Sequence, residues 1–309
     1  MTFDVDDACA GMRLDKFLAA PDRLGSRGKV TAALDHGKVF LNGVEASRAD
    51  AGSLLQKGDS VRLWMDRPGS AKKRPSPTLA AELGILFEDE SLIVLNKPAG
   101  LLSVPLATSG DASAYEQVAV YLRAQGRRGR PHIVHRIDRD TSGLVLFAKS
   151  ERAQALLKDQ FRRREPERVY WAVVYGQPNP AQGTWHDRLI WDQDALIQRR
   201  THPDDPKGAD ATSHYRVLET FGEASLIEVR LETGKRNQIR IQARLRGHTL
   251  VGERRYTFGP DSLRPIEFAR QALHARALAF AHPATGRPLR FEAPLPDDLT
   301  DLLTRLRIY

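Results

Sequence analysis

Cysteine is almost absent from this sequence, and so are long apolar runs. A single cysteine, Cys9, among 309 residues excludes an internal disulfide scaffold and a zinc site built on several thiolates. No uncharged apolar run approaches the ~18 residues that a membrane-spanning helix needs. The start of the chain, residues 1–11, is acidic and lacks the basic and apolar regions of a signal peptide. We therefore expect no membrane segment and a reducing, cytoplasmic location.

Acidic residues are also scarce relative to basic ones. The 47 lysines and arginines exceed the 39 aspartates and glutamates, which gives a net charge of +8. Residues 123–130 carry four arginines and no acid, and residues 235–256 carry seven basic residues against one acid, Glu253. Net charge alone is equally typical of a merely basic protein, but the clusters favour a polyanionic partner, nucleic acid first.

Proline and glycine mark one boundary along the chain. Residues 66–79 contain three prolines, one glycine and the basic run 72–74, a composition that interrupts both helix and strand patterns. We predict a basic, proline-rich linker there. It separates a small domain at 1–65 from a larger one at 80–309.

The small domain is predicted to contain two helices and a β-hairpin. Apolar residues share one helix face over 13–20, and Ser26 can cap a second helix that runs through residue 34. Asn42-Gly43, a strong turn signal, lies at the centre of a predicted hairpin over 38–46. A closing strand is predicted at 58–64.

This order of segments resembles the S4 RNA-binding domain. The resemblance is carried by four segments in sequence: RLDKFLA, SRGKV, GKVFLNG and KGDSVRLW. It implies that four basic side chains face RNA phosphates: Arg13, Lys16, Arg27 and Lys29. The alternative is a basic helix face that only contacts solvent.

In the larger domain, predicted strands follow one another more often than they alternate with helices. This pattern predicts an α+β fold with a mixed, largely antiparallel sheet flanked by helices. Hairpins are predicted over 85–97 and 273–294, single strands over 143–149, 168–176, 212–219 and 225–231, and helices over 114–125, 151–161, 238–247 and 297–307. The helix over 151–161 is expected to bury Ala153, Leu156, Leu157 and Phe161.

The strongest sign of chemistry is the segment 132–150, HIVHRIDRDTSGLVLFAKS. An apolar run ends at Asp138, a polar turn follows, and a buried strand leaves the turn. A rigid scaffold can present a carboxylate to a cleft there, and neighbouring arginines keep it ionised. The same aspartate could simply cap the turn. A kinase catalytic loop is excluded because Ile137 separates Arg136 from Asp138. A glycosidase pair is excluded because Asp138 and Asp140 share one loop.

The segment HRIDRDTSGLVLFAK closely resembles the signature of the RluA family of RNA pseudouridine synthases. Further segments that resemble the family in order and spacing are 87–105, 168–176, 231–256 and 272–296. The resemblance implies a pseudouridine synthase catalytic domain, an isomerase that needs no cofactor and no metal. Its implied partner is structured RNA. Large-subunit ribosomal RNA is favoured because members with the N-terminal module often act on it, and transfer RNA stays open. A monomer is the default expectation.

The resemblance also assigns roles within the site. Asp138 is the essential carboxylate, which either forms a covalent adduct or abstracts a sugar proton. Arg240 pairs with it, Tyr170 stacks on the uracil and helps remove the C5 proton, and Arg136 fills the gap left by the flipped uridine. Further candidate substrate contacts are His135, Arg139 and Lys97, although Lys97 could instead fix its loop and His135 could be a core histidine.

Two other functions compete with this one. A non-catalytic RNA-binding or ribosome-assembly protein is disfavoured by the joint presence of Asp138, Tyr170 and Arg240. A glycoside hydrolase is disfavoured because no separated acid/base carboxylate pair is evident. The sequence departs from the usual family pattern at Asn237 and Gln242 (usually His), at Glu253 (usually Asp) and at Val104 (often His), and these departures bear on which RNA is modified.

Overall fold

The computed structural model describes residues 1–65, 83–106, 111–126, 129–257 and 259–308. The predicted linker at 66–79 lies outside these ranges, as do Arg127 and Arg128 of the first basic cluster. The chain divides into two compact units, Met1–Leu79 with Val120–Gly129 and Ala80–Ala119 with Arg130–Tyr309. Within the described ranges, no helix is long and apolar enough to cross a membrane.

The first unit contains a small antiparallel sheet and two helices. Its strand order is β1-β4-β2-β3. In chain order the elements are β1 (Thr2–Asp4), α1 (Leu14–Leu18), α2 (Arg27–Asp35), β2 (Val39–Leu41), β3 (Val44–Glu45) and β4 (Ser60–Leu63). The sequence pattern places all of these elements except β1.

Local chemistry explains the first unit. The Ser26 hydroxyl accepts a hydrogen bond from the Lys29 backbone amide at 3.3 Å, which satisfies a free amide at the start of α2. Asn42 and Gly43 have φ angles of 53° and 82°, which the tight turn between β2 and β3 requires. Phe17 of α1 is fully buried in the core.

The second unit is built on a large mixed sheet. Its strands are β5 (Ile85–Glu88), β6 (Leu92–Lys97), β7 (His132–Ile133), β8 (Ser142–Ala148), β9 (Glu167–Tyr175), β10 (Gln182–Asp192), β11 (Ile197–Arg200), β12 (Ala209–Thr220), β13 (Ala224–Leu231), β14 (Leu273–Ala281) and β15 (Pro288–Glu292). The order is β11-β10-β12-β13-β9-β14-β8-β6-β5, with β15 beside β14 and β7 beside β8. The remaining helices are α3 (Ala114–Ala124), α4 (Glu151–Arg162), α5 (Gln238–Leu245) and α6 (Asp297–Ile308).

The predicted sheet type is confirmed. Among the described strands, β8 and β14 form the one parallel pair, and the other pairs are antiparallel. The long hairpin β10–β11 was not predicted, because its exposed residues and frequent polar side chains hide the alternation expected of a strand.

One prediction about α4 is wrong. Leu156 is 43% exposed, whereas Gln160 is buried. The Gln160 amide donates to the Ala281 carbonyl at 2.8 Å and accepts from the Ala281 backbone amide at 2.9 Å. These two bonds attach α4 to the end of β14. The buried residues Ala153, Leu157 and Gln160 define the inner face of the helix, and Leu156, about 100° around the helix from Leu157, lies at the edge of that face.

The centre of the sheet positions the start of β8. Every residue of β8 is buried, and Gly143 pairs with Ala275 of β14. Gly143 has a φ of 107°, and a Cβ placed on it would lie 2.3 Å from the Ala275 carbonyl oxygen. The close approach of these strands therefore requires glycine, and it fixes the turn that carries Asp138.

Candidate active site

A cleft of about 640 Å³ opens beside the start of β8. Its walls come from elements that are far apart in the chain: residues 134–138 with Thr141, the end of α4, the start of β9, the loop 231–235, the first turn of α5, and Leu273. Both polar and apolar side chains line it.

Asp138 and Arg240 meet in this cleft although 102 residues separate them. The Asp138 turn is closed by a hydrogen bond from the Thr141 amide to the Asp138 carbonyl, at 3.2 Å. Arg240 Nη1 donates to Asp138 Oδ2 at 3.1 Å, and the exposed fractions of the two side chains are 11% and 24%. The carboxylate of Asp138 is therefore held by a cation and remains partly exposed on the cleft.

The other nitrogens of Arg240 are held by Glu253. Nε donates to Oε2 at 2.6 Å and Nη2 donates to Oε1 at 2.7 Å. Burial by itself would lower the pKa of Arg240, but the hydrogen bonds and charge of Glu253, followed by those of Asp138, raise it. Burial would raise the pKa of Glu253, and Arg240 outweighs that effect and lowers it. Both groups are therefore ionised.

Asn237 fixes the same nitrogen that reaches Asp138. It begins α5 in a left-handed conformation with a φ of 53°. Its side-chain oxygen accepts from Arg240 Nη1 at 3.1 Å, and its amide donates to the Tyr256 hydroxyl at 2.9 Å. The guanidinium of Arg240 is thus constrained on every nitrogen.

Lys97 connects the Asp138 turn to the loop that follows β6. Its side chain is 1% exposed, and its Nζ donates to the carbonyls of Pro98, Leu101 and Arg139 at 2.7, 2.8 and 2.9 Å. Burial lowers the pKa of Lys97 to about 7, although the charges of Asp140 and Asp138 act in the opposite direction. Lys97 lies outside the cleft lining and joins two loops.

Arg139 also lies outside the cleft lining. Its Nε donates to the Gly100 carbonyl at 3.1 Å, and its Nη1 lies 3.4 Å from Asp111 Oδ2. The side chain therefore packs along the 98–101 loop that Lys97 also holds.

Tyr170 and His135 do line the cleft. Tyr170 is 8% exposed, and burial raises its pKa, so the phenol is protonated at neutral pH. The His135 ring stacks on Phe161 with centroids 5.0 Å apart, and its Nε2 accepts from the Leu146 amide at 3.1 Å. Burial lowers the pKa of His135 to about 3, so this ring is neutral.

The mouth of the cleft is basic. Arg136, Lys158 and Lys235 line it and are exposed, and no hydrogen bond or ion pair joins their side chains to other described residues. Arg168 lies deeper, where its Nη2 donates to the Leu231 and Glu232 carbonyls at 3.2 and 2.9 Å. Lys158, Lys235 and Arg168 were missed as site residues, since nothing in the sequence places them beside Asp138.

The four basic residues predicted to face RNA in the small domain are all exposed. Arg13 donates two hydrogen bonds to Asp15, at 3.0 and 2.9 Å, which lower the pKa of that carboxyl. The side chains of Lys16, Arg27 and Lys29 make no hydrogen bond or ion pair with other described residues.

The departures from the usual pattern fall into two groups. Asn237 and Glu253 hold Arg240, as described above. Gln242 is fully buried, and its amide donates to Asp187 Oδ2 and the Ala211 carbonyl, both at 2.9 Å. It anchors α5 to the sheet, while Val104 lies outside the cleft lining. Within the described ranges, no three His, Cys, Asp or Glu side chains cluster closely enough to hold a metal ion.

Comparison with known proteins places this geometry in a family. Residues 91–245 match the family model described as RNA pseudouridylate synthase. An uncharacterized RNA pseudouridine synthase of Synechocystis sp. is 35% identical over 308 residues, covering 98% of this chain and 91% of that protein. The ribosomal large subunit pseudouridine synthase D of Zymomonas mobilis is 35% identical over 306 residues, covering 96% of this chain and 95% of that protein.

Solved structures agree on the fold. The human protein named RNA pseudouridylate synthase domain containing 4 covers 74% of this chain and 96% of its own, with a TM-score of 0.61 and 23% identity. The predicted pseudouridine synthase fold, a mixed sheet flanked by helices, is confirmed. Because relatives more than 30% identical span nearly the whole sequence, this chain belongs to the RNA pseudouridylate synthase family and is an isomerase that acts on RNA.

Proposed function

We propose that this enzyme converts a uridine of large-subunit ribosomal RNA to pseudouridine, with Asp138 as the essential carboxylate. One observation carries the assignment of Asp138. Its carboxylate is 24% exposed on the cleft and lies 3.1 Å from an arginine whose other nitrogens are occupied by the buried Glu253. This arrangement keeps the Asp138 carboxylate oriented while part of it remains open to substrate.

The reaction is an isomerisation, so no atoms are gained or lost overall. The N1–C1′ bond breaks, the uracil turns, C5 bonds to C1′, the C5 proton leaves and N1 gains a proton. Asp138 acts at the sugar, either by bonding to it or by removing a sugar proton. Both routes use the Asp138 carboxylate, which the hydrogen bond from Arg240 holds in place.

Tyr170 and Arg136 act on the base and on the gap it leaves. Tyr170 lies on the cleft wall with a protonated phenol, a flat surface on which uracil can stack and a group that can relay the C5 proton. The target must leave its helix, because C1′ and C5 have to be reached from one pocket. Arg136 is exposed at the cleft mouth with no ion pair to another described residue, and its planar head can fill the vacated stack.

The choice of ribosomal RNA rests on relatives and on the first unit. Proteins of Zymomonas mobilis and Xylella fastidiosa that are 35% identical to this chain are named ribosomal large subunit pseudouridine synthase D. We further propose that the chain belongs to the RluA branch and that residues 1–65 form an S4-like module. Its basic residues Lys16, Arg27 and Lys29 would contact phosphates, with 66–79 as the linker to the catalytic domain at 80–309. Transfer RNA is the alternative substrate.

Tritium release tests the proposal, because bonding C5 to C1′ must expel the hydrogen at C5. Unmodified large-subunit ribosomal RNA and transfer RNA, both labelled at uridine C5, are incubated separately with wild type, Asp138→Asn and Asp140→Asn. Release from ribosomal RNA by wild type and Asp140→Asn, with none from Asp138→Asn, is expected. Asp140→Asn is the matched control, since that carboxylate lies outside the cleft lining.

Other outcomes separate the parts of the proposal. Release from transfer RNA alone would overturn the ribosomal assignment and leave the chemistry intact. Full activity of Asp138→Asn would refute the proposal that Asp138 is the essential carboxylate. The predictions of a monomer and of a cytoplasmic location remain predictions.

A further inference from the structure

A stacked pair of side chains lies just beyond the cleft. The guanidinium carbon of Arg236 lies 3.8 Å from the centroid of the Trp191 ring. Trp191 is near the end of β10, in the hairpin β10–β11. Arg236 belongs to the loop that precedes α5, directly after Lys235, which lines the cleft mouth.

Arg236 differs from the other arginines that stack on aromatic rings in the described part of the second unit. Each of those is also bound by an acid or by carbonyl groups: Arg168 by two carbonyls, Arg240 by Glu253, Arg270 by Asp298 and Arg276 by Glu292. Arg236 is exposed, and no hydrogen bond or ion pair joins its side chain to another described residue. One face of its guanidinium covers the indole, and no acid in the described part of the chain pairs with its charge.

The distance between the Arg236–Trp191 pair and the cleft determines which part of a bound RNA the pair can contact. Arg236 directly follows Lys235, which lines the cleft, and consecutive Cα atoms are ~3.8 Å apart. That distance is shorter than one nucleotide of extended RNA. Arg200, on the same face of the hairpin as Trp191 by strand register, is also exposed and unpaired among the described residues. A planar cation on an aromatic ring beside a second cation is a combination that binds single-stranded nucleic acid.

We propose that the Arg236–Trp191 pair is a stacking platform for the base next to the target uridine in the substrate RNA. This inference rests on the proposed function. Arg136 fills the gap left by the flipped uridine, and the open face of the Arg236 guanidinium stacks on the face of the neighbouring base that points away from that gap. The platform therefore contributes to substrate binding and to the choice of sequence around the target.

The first test is steady-state tritium release from an unmodified transcript of large-subunit ribosomal RNA labelled at uridine C5. Arg236→Ala and Trp191→Leu are expected to raise KM by roughly 5- to 150-fold, the range observed for removing one base-stacking side chain, and to leave kcat close to wild type. Arg236→Lys keeps the charge but loses the plane, so it should behave like Arg236→Ala. Trp191→Phe keeps an aromatic ring and should retain most of the affinity.

Arg199→Ala is the matched control. Arg199 is on the opposite face of the same hairpin, where its Nε lies 3.3 Å from Asp192 Oδ2, and its loss should leave KM unchanged. Thermal melts of all variants identify any that are misfolded. A wild-type KM for Arg236→Lys would mean that charge alone acts, and KM values for Arg236→Ala equal to the control would overturn the platform.

A second readout does not depend on turnover. Trp191 fluorescence, taken as the difference between wild type and Trp191→Phe, is followed during titration with a single-stranded RNA decamer. Quenching of the Trp191 signal that Arg236→Ala weakens at least fivefold is expected. If the wild type releases no tritium but Trp191 is quenched, the proposed substrate fails and the platform stands. If tritium is released and Trp191 is silent, the platform fails alone.

Discussion

Removing the charge of Glu253 tests the architecture of the site most directly. In Glu253→Gln, an amide replaces a carboxylate that accepts from Arg240 Nε and Nη2 and from the backbone amides of Arg255 and Tyr256 at 2.8 and 3.2 Å. The glutamine NH2 group must face one of these donors, because no acceptor stands opposite either oxygen. Arg240 is then a buried cation that has lost its main partner.

The expected loss of stability follows from the burial of both Glu253 and Arg240. The Glu253 side chain is 0% exposed and that of Arg240 is 11% exposed, and breaking a buried ion pair from one side costs about 3–5 kcal/mol of unfolding free energy. The free guanidinium can also turn toward Asp138 with two nitrogens instead of one. We expect kcat to fall about 100-fold, the scale that a misplacement of 1 Å can produce.

Glu219→Gln is the control, because it makes the same change in another two-bond glutamate–arginine pair. Glu219 accepts from Arg307 at 2.9 and 2.7 Å, but these side chains are 36% and 51% exposed. Solvent screens such a pair, so the urea midpoint and kcat should stay near those of wild type. Equal urea midpoints for the two variants would refute the argument that burial makes the Glu253 pair essential.

Three further predictions concern the surroundings of the site. Lys97→Met removes three bonds that join the loop 98–101 to the Arg139 carbonyl in the Asp138 turn, so kcat in tritium release should fall at least about tenfold with KM within about twofold; an unchanged kcat would contradict this. Gly143→Ala forces a methyl group against the Ala275 carbonyl, and urea denaturation should show a loss of roughly 3 kcal/mol, whereas an unchanged midpoint would argue against the close strand approach. Burial lowers the pKa of His274 to about 4 from its ordinary 6.5, so the unfolded state binds the proton first. The contribution of His274 to stability should therefore be complete above pH 6.5 and fall by on the order of 3 kcal/mol toward pH 4, so the decline measured by urea denaturation should be shallower in His274→Gln.

The sequence predicts local structure well where only a few neighbouring residues determine it. The cap at Ser26, the Asn42-Gly43 turn and the buried strand β8 each depend on neighbours in the chain, and each lies where the pattern places it. The hairpin β10–β11 was missed because pairing with β12, rather than its own alternation, makes it a strand. Leu156 was misplaced because the buried face of α4 includes Gln160, which bonds to Ala281 121 residues away, and Leu156 lies at the edge of that face.

In the candidate site, too, some features follow from the local sequence and others from tertiary contacts. The sequence pattern identified Asp138 at a junction of strand and turn, and the family resemblance named Arg240 and Tyr170. Neither the sequence pattern nor the resemblance shows that Glu253 and Asn237 hold Arg240, because these contacts depend on how α5 and the loop after it pack together. Arg139 was expected near substrate, and Lys97 either near substrate or fixing its loop; both side chains bond to loop carbonyls outside the cleft lining.

The sequence by itself determined the basic charge, the α+β class, most helices and strands, and the carboxylate around which the site is built. These properties follow from composition and from periodicity over a few residues. Only the tertiary structure decided which side chains surround that carboxylate, which cations remain unpaired at the cleft mouth, and that Arg236 stacks on Trp191 beside it. Hydrogen bonds and ion pairs form between groups that the folded chain brings within about 3 Å, and no local pattern encodes such distances.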